Sequence, residues 1–448
     1  MRVLELPRWK IIKKEVLFSL LIWLYIFEDI TLYMSGPKIV DQLFRIGCIA
    51  VMMGILLVRQ KNGIPIRVDD VTVYGFLLIL SSVWQDLLSW NTVGIRIAIN
   101  YVLPVFMYIF IINIWYYNKS VSKVILGIPM VYGVFASIQG ILLFLINFFE
   151  IRIYSYTKYI PRKDNTYVFY DFFLGGYESW GSILGHPLGR VRSYFVEPTR
   201  FAAFLIIPLF LFWGYYRKKR QRIYLVGTLI TFVALVFTMS RAGYIIFVGA
   251  LVVGFFAKGS KRHAVKDPTR ITKKDVRIFL VLPILAFLAV EVLLHGMVSL
   301  SEKYPDAQFL SVGIVDEETG EAHIFRSETF DFEYIVPKFI ERPWGYGLSQ
   351  TPHYGDYRND LDTNLSSAIL LWPMAGGLPG LVIMAAMLIT LFFKYCLPAL
   401  KSDDPLENAV GLIFVALALN SVNVGNWLNT DFLLVVAVMV ALRRKSMD

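Results

Sequence analysis

The chain has 448 residues, of which 56% are hydrophobic and 17% are charged, with a formal net charge of +10. Soluble proteins carry about 25% charged residues, and apolar runs near the roughly 20 residues that cross a bilayer recur along this chain. This composition excludes a soluble domain with one anchor and predicts an all-α polytopic membrane protein. It does not indicate a nucleic-acid partner, because most basic residues lie in short segments between apolar runs.

The apolar runs predict about twelve transmembrane helices in a single integral membrane domain over residues 1–448. Many runs follow the first one without a small-residue cleavage site, so we interpret the first as a retained span. The glycines and proline of "GGLPG" at 376–380 indicate that the tenth span is broken. The predicted spans are 15–33, 43–58, 71–89, 97–116, 122–148, 198–215, 222–239, 242–257, 278–295, 365–396, 406–421 and 428–442.

The distribution of lysine and arginine predicts the orientation. With the N-terminus inside, inner segments hold most basic residues, including the "RKKRQR" cluster at 217–222 and a basic cytoplasmic loop at 258–277. The short outer loops hold few, so the positive-inside rule places both termini in the cytoplasm. The two long loops, 149–197 and 296–364, then lie on the outer face.

The second long outer loop is predicted to contain an amphipathic helix. The stretch "FRSETFDFEYIVPKFI" alternates charged and apolar residues at about helical spacing, which is typical of a helix at a membrane interface. The residues expected to share its apolar stripe are Phe325, Thr329, Phe332 and Val336.

The stretch "RVRSYFVEPTRF" at 190–201 gathers charge directly before the sixth span. Pro198 suits the first turn of a helix. Glu197 could cap that helix or serve a functional role. Arg190 and Arg192 are harder to explain structurally, because arginines at the hydrocarbon edge are costly unless they pair or bind something. They are candidate ligand-binding residues, with Arg200 beside them.

Two further outer arginines have both structural and functional interpretations. Ser240 and Arg241 form a very short turn between spans seven and eight, where Arg241 could simply reach the outer interface. However, an outward arginine runs counter to the charge bias seen elsewhere in the chain. Arg326 could form a salt bridge to Glu333 or Asp331 on its own helix, or it could bind a ligand.

A fourth polar group, "YRNDLDTNLSS", precedes the tenth span. It contains Arg358, Asp362 and Asn364, and either of the last two could cap that span. The outward histidines, His353 among them, are scattered without HExxH or paired spacing, so no metal site is predicted.

Arginine side chains bind phosphate oxygens in pairs and stay charged at any physiological pH. If the outer arginines converge, a lipid diphosphate that carries a sugar would satisfy them. Such a donor brings its own leaving group, so no cofactor is predicted.

Four motifs resemble a known family. "RVRSYFVEPTRFAAFL" resembles the "R-x-S-x-F-x-E-P-x-x-F-A" segment of the Wzy-type O-antigen and capsular polysaccharide polymerases. "SRAG", Arg326 followed by "FIERPWGYG", and "DTNLSSAILLWPMAGGLPG" resemble segments of the wider O-antigen polymerase and ligase superfamily. Ligases usually have histidine where Asp362 stands, and "FVEPTRFA" favours a polymerase over a ligase.

The resemblance implies transfer of a growing glycan from undecaprenyl diphosphate onto a lipid-linked repeat unit. It implies that Arg190, Arg192, Arg241 and Arg326 bind the diphosphate, while Asp362, Glu197 and Arg326 are the catalytic candidates, with Asp362 preferred as general base. The implied substrate-binding residues are Arg200, Ser240, His353, Arg358 and Asn364.

The implied setting is the bacterial cytoplasmic (inner) membrane, with the active site facing outward. The expected partners are undecaprenyl-diphosphate-linked oligosaccharides, with a chain-length regulator protein as a further candidate. Two alternatives stay open: an O-antigen ligase that moves glycan to another acceptor, and a flippase or transporter of lipid-linked saccharides. A transporter should carry charge in mid-span, whereas these spans are nearly all apolar there.

Overall fold

The computed structural model describes most of the helical chain and parts of the loops. The described residues are 21, 22, 38–117, 121–151, 157–161, 167–171, 176–183, 186–193, 195, 198–259, 276, 296, 299, 303, 332–350, 368–423, 428 and 430–445.

Twelve α-helices account for most of these residues. The first four are α1 (Lys38–Lys61), α2 (Asp70–Leu88), α3 (Thr92–Tyr117) and α4 (Val121–Phe148). The next four are α5 (Pro198–Lys219), α6 (Arg222–Phe237), α7 (Arg241–Gly259) and α8 (Phe332–Glu341). The last four are α9 (Ala368–Thr390), α10 (Leu397–Lys401), α11 (Pro405–Asn423) and α12 (Thr430–Lys445), with a π-helix (Leu391–Cys396) joining α9 to α10.

Six helical segments in the described part of the chain are long and apolar enough to cross a membrane: Leu43–Lys61, Asp70–Leu88, Thr92–Trp115, Val124–Phe148, Pro198–Lys219 and Ile369–Lys401. Three further apolar helices are shorter, among them Arg222–Phe237 and Pro405–Ser421. The chain is therefore a multi-pass membrane protein. The count of twelve spans stays a prediction, since 15–33 and 278–295 lie almost wholly outside the described residues.

The mostly helical fold agrees with the predicted all-α membrane protein, and the first long loop adds short strands that the sequence analysis did not predict. Strands β1 (Thr157–Pro161) and β2 (Tyr167–Asp171) pair antiparallel, as do β3 (Gly176–Ile183) and β4 (His186–Ser193). The sequences "TKYIP" and "YVFYD" are rich in aromatic and β-branched residues, which favour strands.

The helices pack around a continuous apolar core. Helix α11 lies against α5 and α7, α9 packs on α2, and α12 packs on α3. Strand β4 contacts α4 and α5. The second hairpin therefore reaches the helical bundle and is positioned by it.

Helix α9 is broken at Gly377, as the "GGLPG" sequence predicts. Gly377 has φ 63° and ψ −151°, a conformation that is essentially limited to glycine. The break would leave backbone groups without helical partners, which is costly inside a membrane protein. The segment 343–347 supplies replacements: Tyr346 N–H donates to Met374 O at 2.9 Å, Gly347 N–H donates to Ala375 O at 3.0 Å, and Leu378 N–H donates to Pro343 O at 2.7 Å.

The predicted amphipathic helix is present as α8, but the expected apolar stripe was wrong at Val336. Ile335 is buried, Phe339 is half-buried, and Val336 is exposed. Ile335 packs with Tyr346, Leu370 and Met374, because the neighbours of α8 are the 343–347 segment and the first half of α9. The rest of the stripe, Phe325 and Thr329, lies outside the described residues.

We predict that Gly345→Ala and Gly377→Ala destabilise the protein strongly. A Cβ on Gly345 would lie 2.2 Å from Ala375 O, and one on Gly377 would lie 2.2 Å from Pro343 O. Gly63→Ala is the matched control, because Gly63 also has a positive φ but a Cβ there would meet nothing within 4 Å. The control should lose only the ~1–2 kcal/mol of a left-handed backbone. Equal losses of thermal unfolding temperature in detergent for all three variants would contradict the interlock.

Candidate functional site

Strand β4 inserts its end between α4 and α5. A Cβ on Gly140 of α4 would lie 3.2 Å from Val191 Cγ1, a tight contact, so β4 packs closely on this part of α4. The Ser193 hydroxyl donates to Gln139 Oε1, and Phe195 N–H donates to the Arg192 carbonyl at 2.9 Å. The ring of Phe195 packs against Phe201 at 5.2 Å between centroids. The connection from β4 to α5 is therefore held by α4 through Ser193 and by α5 through Phe195.

This insertion buries a cation. Arg192 is only 2% exposed and is among the largest fully buried side chains in the described part of the protein. Burying a charge costs several kcal/mol unless it is compensated, and charged groups inside membrane proteins usually mark functional sites. The register shifts at Arg192, because Gly176 pairs with Ser193 while Tyr177 pairs with Val191, so Arg192 is the extra residue of a β-bulge two positions after Arg190.

The Ser240–Arg241 turn lies beside the start of α5. The Ser240 Oγ accepts a hydrogen bond from Gly243 N–H at 3.2 Å, so Ser240 caps α7. A Cβ on Gly243 would lie 2.6 Å from Ala202 Cβ, which places the first turn of α7 against the first two turns of α5. Ser240 is fully buried, so the structure accounts for it as a helix cap, and its contact with substrate stays a prediction.

Arg241 lies at the predicted outer end of α7, outside the predicted span 242–257. Burial, and to a smaller extent the positive charge of Arg190, together lower the pKa of its guanidinium to about 10. This repulsion requires the two groups to be near each other. The structure therefore brings Arg190 of β4 together with Arg241 of α7, while a pKa of about 10 leaves Arg241 a cation at neutral pH.

The local electrostatics favour an anion at this place. The first turns of α5 and α7 each present the positive end of a helix dipole. Arg241 stands at such a helix end, so both the dipole and the charge of Arg190 repel it. Arg192, two residues after Arg190, is buried. An anion would interact favourably with the helix dipoles and with Arg241, and helix N-termini are common phosphate sites.

The remaining predicted site residues are only partly placed. Arg200 is exposed on the first turn of α5, close in sequence to the β4 arginines. The other predicted residues lie outside the described residues, so their roles stay predictions: Glu197, Arg326, His353, Arg358, Asp362 and Asn364. Across the described segments, no three histidine, cysteine or acidic residues come together to hold a metal ion.

A second polar site involves Asp86, which sequence reasoning missed. This buried carboxylate accepts Leu348 N–H at 2.7 Å, Ser349 N–H at 3.3 Å and the Ser349 hydroxyl. A Cβ on Gly94 would lie 2.1 Å from Asp86 Cγ, so α3 also closes on it. An acidic residue in the last turn of an apolar span was the available signal. Asp86 ties α2 to the segment that interlocks with α9.

These features define a multi-pass membrane protein with a basic, partly buried site where β4, α5 and α7 meet. Residues 226–385 match the family model described as O-antigen ligase. The match runs from α6 into the second half of α9 and includes the Ser240–Arg241 turn, Arg326 and the Gly377 break. It confirms the predicted resemblance to the O-antigen polymerase and ligase superfamily over this region. Arg190 and Arg192 of β4 lie before the matched residues.

Neither the curated proteins nor the solved structures gave a match to this chain. The family match supports a polymerase- or ligase-type activity in O-antigen biosynthesis, of a glycosyltransferase-like kind.

We predict that Asp86→Asn loosens the segment 347–349. An asparagine offers one acceptor oxygen in place of two, and its NH₂ group would face backbone N–H donors. The cost of the unsatisfied groups should be about 1–3 kcal/mol. Hydrogen exchange should become faster at the amides of Leu348 and Ser349.

Asp404→Asn is the control for this substitution. Asp404 pairs with Lys218 at 2.6 Å, and both side chains are well exposed, so the pair is worth about 0–1 kcal/mol. Unchanged exchange at Leu348 and Ser349 in Asp86→Asn would show that the carboxylate does not hold the segment.

Proposed function

We propose that this protein is a polysaccharide polymerase of the bacterial cytoplasmic (inner) membrane. It transfers a growing glycan from undecaprenyl diphosphate onto a repeat unit that is also linked to undecaprenyl diphosphate. The reaction takes place at the outer face, with both termini of the chain in the cytoplasm. A chain-length regulator protein is a further proposed partner.

One observation carries the proposal: Arg190 and Arg241 come from different elements, repel each other and lie beside the positive ends of two helices. Such an arrangement is stabilised by a multiply charged anion, and a diphosphate matches the two-oxygen geometry of guanidinium groups. Arg192 adds a third, buried cation two residues after Arg190. In the proposal Arg326 joins this group from the second long loop.

The proposed chemistry is a substitution at the anomeric carbon of the donor sugar. A hydroxyl of the acceptor repeat unit forms the new C–O bond, while the bond from the anomeric carbon to the diphosphate oxygen breaks. Undecaprenyl diphosphate leaves with the electron pair, and the hydroxyl proton passes to a general base, for which Asp362 is the candidate and Glu197 and His353 are substitutes. The arginines stabilise the negative charge that grows on the leaving group.

The assignment as polymerase rather than ligase depends on "RVRSYFVEPTRFAAFL". This segment lies before residues 226–385, the region that matches the family described as O-antigen ligase. The ligase alternative therefore remains the main competitor. A transporter is less favoured, because the described spans carry their charged side chains near their ends, as Arg45, Asp86 and Lys394 do.

A deletion strain separates these activities. If the protein is a polymerase, cells without it carry single repeat units at the surface. If it is a ligase, finished polymer accumulates on undecaprenol instead. Purified protein with a synthetic undecaprenyl diphosphate repeat unit should produce a ladder of polymer lengths, and a single unextended band would contradict polymerase activity.

We predict that Arg192→Ala, Arg241→Ala and Arg326→Ala each abolish long glycan chains in the complemented deletion strain without lowering membrane abundance. Loss of one preorganised charge contact typically costs 10²–10³-fold in rate, or roughly 3–4 kcal/mol. Arg192→Lys keeps the charge but not the paired geometry, so it should fold and still shorten the polymer.

Arg217→Ala is the matched control, because Arg217 lies in the last turn of α5, at the opposite end of the same helix as Arg200. It should leave polymer length unchanged. Full-length polymer from the Arg192, Arg241 and Arg326 variants would refute the diphosphate site.

A further inference from the structure

The α2–α3 turn and the segment 341–350 enclose an open cleft of about 390 Å³, which falls within the range of small-molecule sites. It is built from different elements than the arginine site. We infer that this cleft binds an uncharged saccharide portion of the glycan, an inference that rests on the proposed function for the presence of such a ligand. The lining residues that the inference uses are Gln85, Asn91, Arg342, Trp344, Tyr346 and Gln350.

The lining is polar but balanced in charge. The Arg342 guanidinium donates to Gln350 Oε1 at 2.9 Å and lies 4.8 Å from the centre of the Tyr346 ring. Glu341 pairs with Lys338 at 3.1 Å. The charged groups at the cleft therefore include both signs, whereas the arginine site gathers cations that repel each other. An uncharged ligand fits this environment better than a phosphate does.

The amide side chains suit a ligand with many hydroxyl groups. Gln85, Asn91 and Gln350 each carry a carbonyl acceptor and an NH₂ group with two donors. Asn91 Oδ1 accepts Val93 N–H at 3.0 Å and Gln350 Oε1 accepts the Arg342 guanidinium, so these two amides offer a sugar hydroxyl chiefly their NH₂ donors, while Gln85 can offer both groups. A few convergent polar groups in a cleft of this size are what fixes the orientation of a small ligand.

One exposed tryptophan lines the cleft, and a second lies between two lining residues in the sequence. Trp344 lines the cleft and is 61% exposed, and Trp90, between the lining residues Ser89 and Asn91, is 83% exposed. The C–H face of a pyranose packs well on such rings, which offer a large area at low conformational cost. Tryptophans also mark membrane interfaces, so exposure alone does not decide between the two roles.

Trp90 occupies a position where glycine is preferred. Asn91 N–H donates to Asp86 O at 2.8 Å and Trp90 N–H donates to Leu87 O at 3.3 Å, which is the Schellman ending of α2. Trp90 has φ 52°, a conformation that costs a side-chain-bearing residue about 1–2 kcal/mol. Trp90→Gly therefore removes the ring and also relieves the strain of the positive φ angle. A loss of binding in this variant cannot be assigned to misfolding.

The cleft is rigid on both sides. Asp86 holds Leu348 and Ser349, and the hydrogen bonds from Tyr346 and Gly347 to α9 hold the rest of the segment. The Trp84 Nε1–H also donates to Trp344 O at 3.3 Å, which fixes the backbone of the lining tryptophan. A site that is already formed loses less free energy on ordering when its ligand binds.

The test measures binding of short fragments of the source cell's surface polysaccharide, prepared by partial acid hydrolysis. Full-length protein in nanodiscs is titrated with these fragments by saturation-transfer NMR. Trp344→Ala, Gln350→Ala and Trp90→Gly should each weaken binding at least about 10-fold. Trp213→Ala is the matched control, because Trp213 lies near the C-terminal end of α5 and is not among the residues that line the cleft. This variant should bind like the wild type.

The outcomes separate this inference from the proposed function. Fragment binding that depends on Trp344 and Trp90 supports the cleft, whether or not the protein also makes a ladder from lipid-linked repeat units. Absence of binding by the wild type, or equal binding by wild type, Trp344→Ala and Trp90→Gly, overturns it. Failure of the wild type to make a ladder while its fragment binding persists would reject only the polymerase activity.

Discussion

Backbone hydrogen bonds between the break in α9 and the segment 343–347 hold together the predicted outer end of this protein. Gly377 interrupts a long apolar helix, and the N–H groups of Tyr346 and Gly347 satisfy the carbonyls that the interruption exposes. In an apolar environment an unsatisfied backbone group costs several kcal/mol, so the loop and the broken helix depend on each other. Asp86 extends the same interlock to α2.

The arginine site depends on charged side chains that come from separate elements of the fold. Strand β4 brings Arg190 and Arg192 to the start of α5, and the tight contact between Gly243 and Ala202 brings Arg241 there from α7. We propose that a ligand with several negative charges stabilises these gathered cations. The interlocked segment and the arginine site together give two chemically different surfaces, one suited to neutral sugar and one to diphosphate.

The helices were predictable because each must supply an apolar run of nearly fixed length, and nothing else in the sequence competes with that signal. The break at Gly377 was predictable because glycine and proline are clustered there. The hairpins of the first long loop were not predicted, since their short strands lie among charged residues and the second hairpin depends on packing against α4 and α5.

The candidate site was predictable only in part. Charge placed against the positive-inside bias pointed to Arg241, and charge at the hydrocarbon edge pointed to Arg190 and Arg192. Sequence order could not show that Ser240 caps α7, because serine beside a helix fits both a cap and a ligand contact. The role of Asp86 was also hidden, because its partners at 348–349 are more than 260 residues away along the chain.

The central claim is that guanidinium groups of β4 and α7 bind a lipid-borne diphosphate. The most direct measurement is an electron cryomicroscopy map of the full-length protein in nanodiscs with undecaprenyl diphosphate. The account predicts density for the two phosphates within hydrogen-bond distance, about 3 Å, of Arg190, Arg192 and Arg241. Phosphate density at a different part of the protein, with these three side chains directed away from it, would contradict the account.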